Sequence, residues 1–318
     1  MIMHPIPTAS DIQLAHNRIL PHIHNTPILT SQFINDLTGA HLFFKCENFQ
    51  KTGSFKMRGA SNVIFSLNSK ERLNGFATHS SGNHAQAVAY ACKTAGVSAY
   101  IVMPKNAPKV KVDAVKNYGG RILFCEPNET ARQEACAEVI QETNALFIPP
   151  FDDINIITGQ ATCAKELIDA HIGLDYLLTP VGGGGLASGT ALSVKHFSPR
   201  TEVILGEPEI VNDTYLSLKA GKIIPVTKTN TIADGLKTTV GKLNFEIIQK
   251  YVKEVIPVSE EEISCAMRMI WERMKIIIEP SCAVPFAALL NQKAFFKDKK
   301  VGIILTGGNV DMGNLPFE

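Results

Sequence analysis

The sequence lacks an excess of charge of either sign. Its 318 residues include 31 lysines and arginines and 30 aspartates and glutamates, which gives a net charge of +1. This balance provides no bulk electrostatic attraction to nucleic acid or to an anionic membrane. No apolar run approaches the roughly 20 residues that cross a bilayer, and the amino terminus shows no signal-peptide pattern. We therefore expect a cytoplasmic protein with neither a nucleic-acid nor a membrane partner.

The sequence also lacks the cysteine spacing of a disulfide framework or a zinc site. There are seven cysteines, an odd number, and no two of them form a C-x-x-C pair. Such usage is typical of free thiols in a reducing compartment. The cysteines are Cys46, Cys92, Cys125, Cys136, Cys163, Cys265 and Cys282.

Tandem repeats and low-complexity segments are absent, and short apolar segments alternate with helical patterns along the chain. This alternation predicts mostly parallel sheets covered by helices. The block 75–148 could be a small domain inserted into a larger one. The predicted strands span 41–46, 75–80, 97–104, 120–126, 145–150, 175–181, 201–207 and 299–309. The predicted helices span 53–67, 83–96, 107–119, 129–143, 154–173, 186–197 and 259–275, after a first helix near residue 10.

Local signals set some of the helix boundaries. Ser10 and Asp11 are predicted to cap the first helix, and the spacing of Ser259 and Glu262 predicts a capping box before the helix at 259–275. The dipeptide Gly159-Gln160 is predicted to interrupt the helix at 154–173, since glycine is a poor helix former.

Four consecutive glycines, Gly182 to Gly185, follow a predicted strand and precede a predicted helix. Such a loop lets main-chain N–H groups surround a phosphate at the positive end of a helix. No Lys-Ser/Thr pair follows, so it is not a Walker A loop. Gly182, Gly184 and Ala187 also match G-x-G-x-x-A. The acid Glu202 lies twenty residues beyond Gly182, and a second acid, Glu207, ends the next predicted strand. A nicotinamide-binding site therefore stays open as an alternative.

Lys56 lies in the segment KTGSFKMRGA, between two apolar residues and just after a glycine turn. Lysines early in helices usually face solvent, but this context favours a desolvated amine. Desolvation lowers the pKa of a lysine and allows it to act as a nucleophile or base. A reactive lysine together with a phosphate loop is what pyridoxal phosphate requires.

The segment Ser80-Ser81-Gly82-Asn83-His84 follows the predicted strand at 75–80. Its hydroxyls, its amide and the N–H groups of the following helix could bind a carboxylate. An ordinary helix cap would give the same pattern.

Taken together, these segments resemble the fold-type-II pyridoxal-phosphate enzymes, and within them the serine racemase and serine/threonine dehydratase group. The resemblance implies an α/β fold of two open, twisted, mostly parallel sheets flanked by helices. It also implies a large domain formed by 1–67 and 149–318 and a small domain at 68–148. The segments that carry it are HNTPILTS, FFKCENFQKTGSFKMRGA, HSSGNHAQA, VGGGGLASG, TIADG, WERMKIIIEPS and LTGGNVD.

The resemblance implies roles for individual residues. Lys56 would bind the cofactor through its amine and move the Cα proton on one face of the substrate, and Ser81 would be the acid and base on the other face. The implied cofactor contacts are Phe55, Lys56, Asn83, Gly182, Gly183, Gly184, Gly185, Leu186 and Thr306. The implied substrate contacts are Ser80, Ser81, Gly82, Asn83, His84 and Arg132.

Thr306 would meet the pyridine nitrogen of the cofactor. Because a hydroxyl can donate or accept a hydrogen bond, it need not keep that nitrogen protonated, and the ring is then a weaker electron sink. This favours elimination or proton exchange over transamination.

The resemblance also implies a magnesium or calcium site. Glu207, the carbonyl of Val211 and Asp213 would be its ligands, and such oxygen donors suit these hard cations. Two acids six residues apart are more often surface charges.

The activity that the resemblance implies is an ammonia-lyase reaction, in which L-serine or L-threonine undergoes α,β-elimination and is converted to a 2-oxo acid and ammonia. Serine racemase and L-threo-3-hydroxyaspartate ammonia-lyase are the nearest alternatives. In the latter, Arg132 and His84 would hold the second carboxylate of the substrate. A nicotinamide-dependent oxidoreductase is the alternative from another class. The implied partners are a small amino-acid substrate and a second copy of the chain in a homodimer.

Overall fold

Two sheets organise the protein in the computed structural model, which describes residues 6–317. The six-stranded sheet has the order β1-β2-β10-β7-β8-β9, and the four-stranded sheet has the order β5-β4-β3-β6. The strands are β1 (Ile28–Leu29), β2 (His41–Cys46), β3 (Phe76–His79), β4 (Ala99–Pro104), β5 (Arg121–Cys125), β6 (Leu146–Phe147), β7 (Tyr176–Pro180), β8 (Glu202–Pro208), β9 (Glu254–Val258) and β10 (Lys300–Leu305).

Helices cover the faces of both sheets. They are α1 (Ala9–Ile19), α2 (Gln32–Thr38), α3 (Lys56–Ser66), α4 (Asn83–Ala95), α5 (Lys109–Asn117), α6 (Glu129–Thr143), α7 (Ile154–Ala170), α8 (Gly185–Phe197), α9 (Asp213–Ala220), α10 (Lys242–Tyr251), α11 (Glu260–Met274), α12 (Pro280–Asn291) and α13 (Lys293–Phe296). Among residues 6–317, no helix combines the length and the apolar character needed to cross a membrane.

Strand pairing is parallel throughout, except that β1 pairs antiparallel with β2. The predicted fold class is therefore confirmed. Parallel pairing places the carboxyl ends of the strands at one edge of each sheet, where ligands bind in open α/β proteins. The domain boundaries at 67/68 and 148/149 stay a prediction.

The six-stranded sheet is buried on both faces, as its apolar strands require. Successive side chains of one strand point to opposite faces. Leu178 and Ile303 accordingly pack in the hydrophobic cluster that includes residues of α11 and α12, whereas Leu177 and Ile304 pack in the cluster that includes residues of α7, α8 and α10.

Helix α7 is continuous, so the predicted interruption at Gly159-Gln160 is wrong. A glycine is needed there because a Cβ on Gly159 would lie 2.7 Å from the Cα of Gly59 in α3. The side-chain oxygen of Gln160 accepts a hydrogen bond from the main-chain N–H of Gly59 at 3.2 Å. The dipeptide therefore permits close contact between two helices rather than breaking one.

The capping signals have mixed outcomes. The Ser259–Glu262 capping box of α11 is confirmed. The predicted cap of α1 at Ser10 and Asp11 is wrong in part, because Thr8 is the N-cap and Asp11 is its capping-box partner.

The sequence patterns do not predict α2, α9, α10, α12, α13, β1 or β9.

A buried group of charges fixes α3 against α7. The Arg58 guanidinium donates to both carboxylate oxygens of Glu47, at 2.7 and 2.8 Å, and to both of Glu166, also at 2.7 and 2.8 Å. Lys45 donates to Glu166 at 2.7 Å. Burial alone would raise the pKa of the Glu166 carboxyl, but Arg58 and Lys45 outweigh it and hold that pKa below its usual value. We call these four residues the buried charge cluster.

Glu166→Gln would leave two buried cations with one carboxylate. Because an uncompensated buried charge is costly, we expect the free energy of unfolding to fall by roughly 3–5 kcal/mol in urea denaturation. The control is Glu202→Gln, which breaks an ion pair with Lys253 near the surface and should cost about 1 kcal/mol or less. If both variants lost the same free energy of unfolding, the buried charge cluster would stabilise the fold no more than a surface ion pair does.

Candidate active site

Three helices that carry the predicted site residues begin without a side-chain cap. The helices α3, α4 and α8 have Phe55, Gly82 and Gly184 as their N-cap residues, and none of these caps its helix through its side chain. An uncapped helix start carries a partial positive charge. At α4 and α8 the first N–H groups also have no acceptor among the described residues, whereas at α3 the N–H of Gly59 already bonds to the Gln160 side chain. The predicted site is therefore suited to anionic groups.

The glycine loop fits a phosphate group. Within the described chain, the main-chain N–H groups of residues 182–187 donate no hydrogen bond to another residue. A side chain at Gly183 is excluded because a Cβ would overlap the Phe151 ring, and Gly184 has a φ of +94°. The loop thus presents main-chain donors at close range, as phosphate binding requires.

Lys56 is the first residue of α3 and is half-buried. Its Nζ donates to the carbonyl oxygen of Pro150 at 2.8 Å and lies 5.3 Å from the centre of the Phe55 ring. Burial lowers the pKa of Lys56 to about 8, against the opposing effect of the nearby Glu279 carboxylate. About a tenth of this amine is therefore neutral at pH 7, far more than of a solvent-exposed lysine. The neutral form is the one that acts as a nucleophile or base.

Asn83 lies at the centre of a hydrogen-bond chain that joins three segments. Its Nδ2 donates to Glu279 Oε1 at 2.8 Å, and its Oδ1 accepts from Asn309 Nδ2 at 2.8 Å. Asn309 also donates to the carbonyl oxygen of Thr52 at 2.8 Å. The chain fixes the orientation of the Asn83 amide, which is the predicted contact with the cofactor.

Glu279 and Asn309 are site residues that the sequence analysis missed. Burial raises the pKa of Glu279 to about 7. The available signal was an acid in the otherwise apolar segment IIIEP and an amide in the turn GGN, both within the segments that carry the resemblance.

The serine-rich segment lies between β3 and α4. The Ser80 hydroxyl accepts a hydrogen bond from the N–H of Gly82 at 3.4 Å. The hydroxyl of Ser81 is half-buried and bonds to no other described residue, so it is available to a ligand. His84 is buried and donates through Nε2 to the carbonyl oxygen of Ile148 at 3.2 Å, and burial together with the charge of Lys56 lowers its pKa to about 3. His84 is thus neutral.

The end of β10 approaches the start of α3. The main-chain N–H of Phe55 donates to the carbonyl oxygen of Thr306 at 3.0 Å, and Ser54 pairs with Gly307. This places Thr306 next to the segment that carries Lys56. Leu186 is buried at the start of α8.

Arg132 lies on α6, beside the four-stranded sheet. Its Nε is buried and has no hydrogen-bond partner among the described residues. Burial and the charge of Arg132 both lower the pKa of His79, the residue before Ser80. Arg132 is therefore near the serine-rich segment, but no described contact joins it to Lys56.

Glu207 and Asp213 form a buried acidic pair beside the 3-10 turn that ends at Val211. Glu207 accepts hydrogen bonds from the N–H groups of Thr214 and Tyr215, both at 2.9 Å. Burial and then the charge of Asp213 raise the pKa of Glu207 to about 8, and burial raises that of Asp213 to about 6. In residues 6–317, no three His, Cys, Asp or Glu side chains gather as metal ligands do.

Comparison with known proteins decides the family. Residues 19–307 match the model of the family described as pyridoxal-phosphate dependent enzymes. The chain belongs to this family.

Relatives within the family carry several activities in their names. The chain is 48% identical to a beta-hydroxyaspartate dehydratase of Paracoccus denitrificans over 312 residues, which cover 98% of this chain and 99% of that protein. It is 50% identical to the serine racemase of Dictyostelium discoideum, over 97% of this chain and 96% of that protein. The crystal structure of a T.th. threonine deaminase superimposes with a TM-score of 0.91 at 38% identity, covering 96% of this chain and 99% of that one. The resemblance stated from the sequence is thus confirmed.

The geometry also argues against the nicotinamide alternative. Glu202 is the first residue of β8 and is paired in register with Tyr176, the first residue of β7. It therefore lies at the opposite edge of the sheet from the glycine loop, which follows the carboxyl end of β7. A ribose-binding acid is needed at the loop edge. Glu207 lies at that edge, near the end of β8, but it is fully buried and both its oxygens already accept hydrogen bonds, from the N–H groups of Thr214 and Tyr215.

We predict that near neutral pH an acetylating reagent modifies Lys56 faster than Lys105. In the cofactor-free protein, acetylation of Lys56 should rise with pH through about 8, because only the neutral amine reacts. Lys105 is the comparison, since its hydrogen bond to Glu126 raises its pKa, and it should react at higher pH. Mass spectrometry of the labelled peptides gives both profiles, and parallel profiles would contradict the lowered pKa.

Proposed function

We propose that the protein is an ammonia-lyase that acts on small β-hydroxy amino acids and also racemises them. In the elimination, the Cα–H bond and the Cβ–O bond break and water leaves. Water then hydrolyses the unsaturated amine, which releases ammonia and leaves a 2-oxo acid. The observation that carries the proposal is the Lys56 amine, whose pKa burial lowers to about 8, together with the uncapped starts of α4 and α8, which suit anionic groups.

Pyridoxal phosphate, when bound, withdraws electrons from the substrate Cα and so makes its proton removable. The free N–H groups of residues 182–187 would hold the phosphate, and the fixed Asn83 amide and the Thr306 hydroxyl would contact the ring. The start of α4 and the serine-rich segment would bind the substrate carboxylate. Lys56 would take the Cα proton on one face.

Ser81 would determine whether the enzyme racemises its substrate in addition to the elimination. Removal of the Cα proton by Lys56 is sufficient for elimination, whereas inversion of Cα needs a second proton donor on the opposite face. The Ser81 hydroxyl is available for this role because it is not engaged by another described residue. The similarity to a serine racemase supports proton transfer on both faces of Cα, because racemisation requires it.

A second candidate substrate is β-hydroxyaspartate, whose extra carboxylate needs a cation. The buried Nε of Arg132, without a partner among the described residues, favours it. So does the identity to the dehydratase of Paracoccus denitrificans. The pairing of Arg132 with His84 expected from the sequence is not favoured, because His84 is neutral and bonded to Ile148. The histidine whose pKa Arg132 affects is His79.

The test is a panel of L-serine, D-serine, L-threonine and L-threo-3-hydroxyaspartate, with oxo acid, ammonia and product chirality read together. We expect elimination in the wild type, and we expect Ser81→Ala to lower racemisation by about 10²-fold or more while elimination from L-substrates falls much less. Ser66→Ala, on the exposed end of α3, is the control.

Equal loss of both activities in Ser81→Ala would contradict the two-face arrangement. A preference for hydroxyaspartate over serine would establish the second candidate as the main substrate. Absence of turnover with all four substrates would overturn the proposed function.

We also propose a magnesium or calcium ion at Glu207, the Val211 carbonyl and Asp213. Asp213 accepts a hydrogen bond from the N–H of Val240 at 2.8 Å through Oδ2, whereas its Oδ1 is buried and has no partner in the described chain. Two buried carboxylates without a paired lysine or arginine among residues 6–317 fit a hard cation with oxygen ligands.

Removal and return of the ion test this site. After treatment with EDTA, added Mg²⁺ or Ca²⁺ should raise the melting temperature of the wild type by several degrees, because binding stabilises the folded state. Asp213→Asn should lose this response, whereas Glu134→Gln, an exposed acid on α6, should keep it. A wild type that does not respond to either ion would contradict the site.

A further inference from the structure

The carbonyl group of Gly183 is held from outside the glycine loop. Its oxygen accepts two hydrogen bonds, one from the N–H of Gly241 at 3.0 Å and one from Nδ2 of Asn244 at 2.9 Å. Both donors belong to the start of α10. The hydroxyl of Ser188 in α8 also donates to the carbonyl oxygen of Asn244, at 3.3 Å. Asn244 thus contacts the loop and the helix that follows it.

Fixing this carbonyl also fixes the next N–H group. In a planar trans peptide, the C=O of Gly183 and the N–H of Gly184 point in opposite directions. Since the carbonyl faces the start of α10, the N–H of Gly184 faces away from α10. It is one of the donors of residues 182–187 that have no acceptor in the described chain.

The amide of Asn244 has one workable orientation. Besides Gly183, its Nδ2 lies 3.2 Å from the carbonyl oxygen of Phe151 and 3.2 Å from Oδ1 of Asp152. If the amide were rotated by half a turn, its oxygen would face the oxygens of Gly183, Phe151 and Asp152, and none of these can donate a hydrogen bond to it. Asn244 is fully buried, and its Oδ1 has no hydrogen-bond partner among the described residues. The amide keeps this orientation even though its oxygen is left without a hydrogen bond.

Asp152 holds Asn244 in place. Its carboxylate accepts hydrogen bonds from the N–H groups of Lys242, Leu243 and Asn244, at 3.0, 3.1 and 3.2 Å. The N-cap residue of α10 is Gly241, which has no side chain to cap the helix. A Cβ at Gly241 would overlap the carboxylate of Asp152. Asp152 therefore supplies the cap from a distant part of the chain.

We propose that Asp152 and Asn244 are positioning residues for the phosphate of the cofactor, because together they turn the Gly183–Gly184 peptide so that its N–H faces the phosphate. Neither residue needs to touch the cofactor. The inference rests on the phosphate position in the glycine loop proposed above.

The test compares two ligands that differ in the phosphate. Cofactor-free protein is titrated with pyridoxal phosphate and with pyridoxal, and binding is followed by the visible absorption of the lysine-bound ligand. We expect the wild type to bind pyridoxal phosphate more tightly. Asn244→Ala should weaken pyridoxal phosphate binding by about tenfold, which corresponds to one well-placed hydrogen bond of roughly 1.4 kcal/mol. Pyridoxal binding should stay nearly unchanged.

Asp152→Ala removes the other member of the pair and replaces Asn244→Ala in the test if that variant is unstable. We expect it to lower the ratio of the two affinities in the same direction. Asp152→Asn should recover most of the wild-type ratio, because aspartate and asparagine cap helices about equally well.

Neighbouring residues provide matched controls. Asp153 caps α7 through the N–H groups of Asn155 and Ile156, so Asp153→Ala also removes one helix cap. Asn62 is a buried asparagine that donates to the carbonyl oxygen of Asn155. Asp153→Ala and Asn62→Ala should lower the melting temperature without changing the affinity ratio.

The outcomes separate the inference from the proposal beneath it. Equal weakening of pyridoxal phosphate and pyridoxal in the Asn244 and Asp152 variants would show a general structural role and overturn the inference. A wild type that binds the two ligands equally would overturn the placement of the phosphate in the glycine loop.

Discussion

The contact between α3 and α7 is the constraint on which the rest of the site depends. Arg58 bonds to Glu47 and Glu166 without access to water, so the start of α3 cannot shift along α7 without exposing a buried charge. Lys56 lies two residues earlier on α3, and its acceptor Pro150 lies just before α7. The cluster therefore fixes the position of the reactive amine through hydrogen bonds between buried side chains of the protein itself.

The site combines this rigid frame with unsatisfied polar groups. The starts of α4 and α8 lack side-chain caps, and the glycine loop presents N–H groups that the described protein does not bind. Such groups are costly when buried without partners, and an anionic cofactor and substrate would satisfy them. Burial lowers the pKa of Lys56 in the same place. The same physical condition, removal from water, thus favours both anion binding and amine reactivity.

Local patterns were sufficient for most of the fold. The strands before the glycine loop and before the serine-rich segment are short apolar runs, and such runs are readable because side chains alternate between the two faces of a sheet. The capping box of Ser259 and Glu262 is also local. The errors arose where distant residues decide. The pair Gly159-Gln160 has the pattern of a helix break, but its function is to let α3 approach α7.

The sequence by itself determined the family, the two-sheet fold, and which segments carry the reactive lysine and the phosphate loop, because these motifs are contiguous and their residue types are chemically specific. Only the tertiary structure decided how the segments cooperate. It brought Glu279 and Asn309 to Asn83 across about two hundred residues of chain, and Asp152 to the start of α10. Hydrogen bonds between residues so far apart leave no periodicity or spacing in a single sequence.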